Sequence, residues 1–93
     1  MLTSATALAT AQGAQIALQL RAAATVEVRI LNLAGRVVAT LPAVALPAGT
    51  QTLLWDRCSL HGTRVPAGAY LVRCTAQAAD GSQAQVMTTL QLR

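Results

Sequence analysis

VEVRILNLAGRVVATL, residues 26–41, decides how the rest of the chain is read. Val26, Val28 and Ile30 alternate with Glu27, Arg29 and Leu31, a period of two residues that marks a half-buried strand. Asn32-Leu33-Ala34-Gly35 then breaks the pattern with residues suited to a turn, where a positive φ is expected. Arg36 to Leu41 returns, so residues 25–41 read as a β-hairpin.

The same period extends in both directions. Ile16, Leu18 and Leu20 alternate with Ala17, Gln19 and Arg21. Beyond the hairpin, Gln51, Leu53 and Trp55 share one face, as do Tyr70, Val72, Cys74 and Ala76, and then Val86, Leu90 and Leu92. Pro42 to Gly49 reads as a longer connection, because two prolines bar a central strand. Ala79-Asp80-Gly81-Ser82 predicts a hairpin turn of type I′ at Asp-Gly. Short strands at near-regular spacing, with Gly/Pro punctuation and no helical period, make an all-β antiparallel sandwich of about seven strands.

At 93 residues the chain makes one domain with a thin core. Its 54% apolar content includes 20 Ala and no Phe, which leaves Trp55 and Tyr70 as the bulky core residues. The charge of +4 arises from seven Arg against Glu27, Asp56 and Asp80. Those arginines stand singly along the chain. A nucleic-acid binder needs a concentrated basic patch, and a single-strand binder also needs stacking aromatics, so no nucleic-acid partner is expected. No stretch reaches the roughly 18 uninterrupted apolar residues of a membrane-spanning helix.

Residues 1–12, MLTSATALATAQ, stand apart from the sandwich at 13–93. Ala9-Thr10-Ala11 has the small residues of a signal-peptidase site, but no basic segment precedes it, and Thr and Ser break the apolar run. The segment reads as an extended arm or as the linker of a longer protein. Thr and Ala alternate in it, with Leu2 and Leu8 adding apolar weight. That composition suits a strand laid along a sheet edge, its own or that of another copy.

The order of VEVRILNLAGRVVATL, LPAGTQTLLWD and GTRVPAGAYLVRCTA, with a closing strand after ADG, resembles the FlgD-type Ig-like domain. That family includes the C-terminal domain of flagellar hook-capping proteins and related C-terminal modules of secreted bacterial surface proteins. The resemblance covers roughly residues 14–93. Its most specific pieces are the Asn32/Gly35 turn, the Gly49…Trp55-Asp56 strand and the Gly62…Pro66…Gly68…Tyr70 loop. It implies an Ig-like or fibronectin III-like sandwich with a structural role outside the cell, and it brings no catalytic residues. Arg57 departs from the family, standing where such domains often carry Gly.

One loop gathers the residue types that do chemistry: Asp56, Cys58, Ser59 and His61. Asp56, Ser59 and His61 match a hydrolase triad in composition, yet a triad needs groups converging from separate rigid elements beside an oxyanion hole. Cys58 with His61 as nucleophile and base is crowded in the same way. Cys58, His61, Cys74 and Asp56 make a zinc set only with unusual spacing, since a C-x₂-H is present without a paired C-x₂-C. No cofactor, metal or catalytic role is therefore expected. A Cys58–Cys74 disulfide and two free thiols stand as alternatives. The bridge would close a loop of 15 residues and stabilise by about 3 kcal/mol in the chain-entropy model. The loop as a whole reads as a structural clasp.

Three functions fit this reading unequally. The first is a non-catalytic extracellular or cell-surface module for attachment, secretion or packing against protein partners. The second is a self-assembling filament subunit, joined to copies of itself by strand addition through the arm. The third, a carbohydrate-binding module, would need exposed aromatic platforms, and Trp55 and Tyr70 are both assigned to the core.

Overall fold

The computed structural model describes residues 2–11 and 13–92. Seven strands follow in order: β1 (Leu2–Thr10), β2 (Gly13–Leu20), β3 (Ala24–Leu31), β4 (Val37–Leu46), β5 (Gly49–Trp55), β6 (Gly68–Gln77) and β7 (Gln83–Leu92). They form a three-stranded sheet, β1-β2-β5, and a four-stranded sheet, β4-β3-β6-β7. Every pairing is antiparallel. The expected all-β, Ig-like sandwich of seven strands is the observed fold.

Alternation along the strands places the core. Ile16, Leu18 and Leu20 from β2 meet Val26, Val28 and Ile30 from β3, Tyr70, Val72, Cys74 and Ala76 from β6, and Leu90 and Leu92 from β7. These are the inward faces that the period of two marks out. Trp55 closes one end at 3% exposure.

Residues 2–10, read from sequence as an arm, form β1 and pair with β2 of the same chain. Ala5, Ala7 and Ala9 turn toward the core, while Leu8 is 67% exposed. The side chain of Leu2, the other residue assigned to an assembly arm, lies outside the described residues. Small side chains let β1 settle against β7 of the opposite sheet, where bulkier ones would hold the layers apart.

Two local expectations are corrected. The Pro42–Gly49 segment is not a long connection, because β4 continues through Pro42 to Leu46. Val26 pairs with Val44 and Val28 with Leu41, so Pro42 and Ala43 stand opposite Glu27 alone, in a β-bulge. A proline is tolerated there because β4 is an edge strand and the bulge interrupts the ladder that its missing N–H would have joined.

The Asp80-Gly81 turn is not type I′, which requires positive φ at both central residues. Among the described residues only Arg57 and glycines have positive φ. Gly81 N–H donates to Ala78 O and Ala78 N–H to Ser82 O, with Gly81 at φ +91°. This is a type I turn followed by a glycine bulge. Asn32–Arg36 and Ser59–Thr63 repeat the same pair of bonds around Gly35 and Gly62. A side-chain oxygen braces each turn: Asn32 Oδ1 accepts from the Ala34 and Arg36 amides, and Asp80 Oδ1 from the Ser82 amide and hydroxyl. The bonds from Ser82, that of its hydroxyl first, hold the Asp80 carboxyl below its ordinary pKa.

Candidate functional site

The loop that joins β5 to β6 carries the chain from one sheet to the other. Trp55 and Tyr70, at its two ends, therefore enter the core from opposite layers. Between them the chain folds into a small hairpin. Val65 N–H donates to Arg57 O at 2.9 Å, Cys58 and Arg64 form a bridge, and Ser59 N–H donates to Thr63 O at 2.8 Å. Val65 plugs the core from this hairpin, buried to the same degree as Tyr70.

The indole, phenol, Asp56 carboxylate and Ser59 hydroxyl of the loop all have local work. Trp55 Nε1–H donates to Cys58 O at 3.0 Å, and Tyr70 O–H donates to Pro66 O at 2.7 Å. Both core aromatics thus satisfy their polar ends on loop backbone, the arrangement buried Trp and Tyr require. Asp56 Oδ1 accepts the Cys58 amide at 3.0 Å, turning the chain immediately after Trp55. Ser59 Oγ accepts from the His61 and Thr63 amides at 3.2 and 3.3 Å. Leu60 N–H reaches Val38 O on β4 at 3.0 Å and ties the loop to the other sheet's edge.

The composition of a triad is present without its geometry. Asp56, Ser59 and His61 do not converge: Asp56 bonds back to the Cys58 amide, Ser59 braces the turn, and the His61 side chain is exposed. Among the described residues, no group of three or more His, Cys, Asp or Glu is placed to hold a metal ion. Cys58 and Cys74 both carry free thiols, and no bond joins them. Cys74 lies in the core face of β6, where burial pushes its thiol pKa up to about 11.

Arg57 holds the loop, a role that its departure from the family's glycine does not by itself reveal. Its φ is +67°, in the left-handed region that disfavours side chains other than glycine. Its backbone carbonyl and side-chain Nε both bond to Val65, the latter to Val65 O at 3.0 Å, and the residue is 9% exposed. The side chain offsets the backbone strain by satisfying a buried carbonyl. Arg57→Ala retains the strain and loses the bond, whereas Arg57→Gly loses the bond alone. Thermal denaturation should find the Gly variant more stable than the Ala variant by about 1 kcal/mol. The reverse order would contradict a left-handed backbone at this position.

The family model described as the FlgD Ig-like domain matches residues 4–80, which take in most of β1 and all of β2 to β6 and stop short of β7. FlgD from Xanthomonas campestris, whose structure is described in terms of the hook capping essential for flagellar assembly, superposes with a TM-score of 0.74 at 24% identity. That alignment covers 95% of this chain and 64% of the FlgD chain. FlgD from P. aeruginosa gives 0.70 at 24% identity, over 82% of this chain and 59% of the other. Dimeric latent PorU from Porphyromonas gingivalis gives 0.72 at 22% identity, over 98% of this chain but 9% of its own. The chain thus spans less than two thirds of each of these proteins. No curated protein sequence matches it.

Proposed function

Because the chain belongs to the FlgD Ig-like domain family, we infer that it works as a non-catalytic structural module of a bacterial surface or secreted assembly, in contact with protein partners. The observation that carries this reading is the state of the 55–70 loop. Its acid, hydroxyl and indole groups are engaged in holding two sheets together, and none converges on a common centre. What the molecule offers a partner is therefore its faces and edges. The likeness to FlgD and PorU supports a location outside the cell.

Purified domain should show no turnover of ester, peptide or phosphoester substrates. His61→Ala should change stability by no more than about 0.5 kcal/mol, as expected of an exposed loop side chain. Turnover that His61→Ala or Ser59→Ala abolishes would overturn the reading.

The filament reading keeps one observation in its favour. The outer edge of β1 carries no charge and no proline across its nine residues, two of the features that guard an edge against a further strand. Light scattering separates the two readings: a monomer supports an appended module, and open polymers support a subunit joined edge to edge.

A further inference from the structure

Arg29 on β3 and Arg73 on β6 are direct register partners, so two arginine side chains leave neighbouring positions on the outer face of the four-stranded sheet and line one hollow. Thr40 on β4 and Met87 on β7 complete the row. Like charges directly opposite one another destabilise a sheet. Only one of the two is compensated. Glu27 binds Arg29 through Nε at 2.8 Å, while the side chain of half-buried Arg73 makes no hydrogen bond or ion pair among the described residues. The chain's other acids, Asp56 and Asp80, are engaged in their own turns.

An open hollow of about 420 Å³ surrounds the pair; Glu27 lines it too, its carboxylate held by Arg29, and Thr25, Thr75, Gln77 and Gln85 supply neutral hydrogen-bonding groups. We propose that this hollow docks a carboxylate-bearing segment of a protein partner, with an Asp or Glu side chain seated between Arg73 and Arg29. The bound carboxylate supplies Arg73 with the counter-charge that Glu27 already gives Arg29, in the fork geometry that favours arginine. A nucleic-acid ligand fits less well: two cations make a short phosphate track, and both aromatics that might stack on bases are buried. The proposal rests on the interaction-module reading and names the chemistry of its partner.

A fluorescent hexaglutamate peptide tests it by anisotropy at low ionic strength. Wild-type domain is expected to bind, and 0.5 M salt to release the peptide. Arg73→Gln should weaken binding about tenfold, the worth of one charge-assisted contact, with Arg73→Lys falling between. Arg36→Gln, which removes the same net charge from an exposed turn, should change affinity less than about twofold. Arg73→Gln should also raise Tm by about 1–4 °C, because it removes a like-charge pair.

Three results would overturn the site: no peptide binding, equal weakening by Arg36→Gln and Arg73→Gln, or tighter Arg73-dependent binding of a single-stranded oligothymidylate. A fall in Tm on Arg73→Gln would remove its physical basis. None of these touches the non-catalytic reading, which stands or falls on the turnover assays.

Discussion

Trp55→Ala is expected to abolish cooperative unfolding. The indole is 3% exposed at the end of β5, and no Phe exists elsewhere to fill the space. Truncating a buried Trp costs about 3–5 kcal/mol. Domains of this size hold about 5–14 kcal/mol in total, and a core this poor in bulky side chains belongs near the lower figure. The loss also reaches the loop, because Trp55 Nε1–H is the partner of Cys58 O. Far-UV circular dichroism on heating, with dispersion in a proton NMR spectrum, reads the outcome. Trp55→Phe, which keeps an aromatic ring and lacks the donor, should fold with a lowered Tm. A cooperative melt of Trp55→Ala within a few degrees of the parent would contradict the role assigned to this side chain.

Gly13→Ala should be nearly as damaging, although it adds a single methyl group. Gly13 opens β2 at φ +154°, and a Cβ there would overlap the carbonyl oxygen of Trp55 and press on the backbone of Asp56. Backbone meets backbone, so no side-chain rotation relieves the collision. Strained φ and steric overlap together should cost about 3 kcal/mol or more. Gly35→Ala is the matched control: its φ is +88°, yet an added Cβ meets open space. It should lose only about 1 kcal/mol, from the left-handed backbone. Equal Tm values for the two variants would show that the close approach of β2 to Trp55 does not limit stability.

Alternation was enough to identify most strands and their buried faces, since a residue's burial in a sandwich follows the parity of its position along the strand. Ile16, Leu18, Val26, Val28, Ile30, Tyr70, Val72 and Leu90 were assigned inward on that basis, and all are buried. Asn32/Gly35 and Asp80/Gly81 marked turns through local chemistry that needs no distant partner. One turn differs in detail from the expected type I′, because Asp-Gly is compatible with two backbone solutions. Here Gly81 alone takes the positive φ.

Residues whose role depends on remote neighbours were not legible. Arg57 is one of seven arginines standing singly along the chain, and composition alone does not separate it from a solvated one, yet its side chain satisfies the Val65 carbonyl in the interior. The one signal was its place at a position where the family often has glycine. Gly13 gave no warning, because its constraint comes from Trp55, more than forty residues away in sequence. Pro42 looked like the end of a strand, and only the edge position of β4 and its bulge make it acceptable within one.

The chemistry-bearing loop shows the division most clearly. Residue types placed Asp56, Cys58, Ser59 and His61 in one polar segment, but types do not state direction. Short-range hydrogen bonds turned Asp56 and Ser59 back onto the loop's own amides. Period and turn chemistry thus determined that this chain is an antiparallel sandwich and which faces it buries. Tertiary structure decided which sheet each strand joins, that residues 2–10 complete the β2 edge, and that two arginines meet on one outer face. The physical reason is range. Burial parity and turn conformation are local properties of the backbone, whereas strand partners, register and the fate of a polar side chain depend on segments that meet only when the two sheets close on each other.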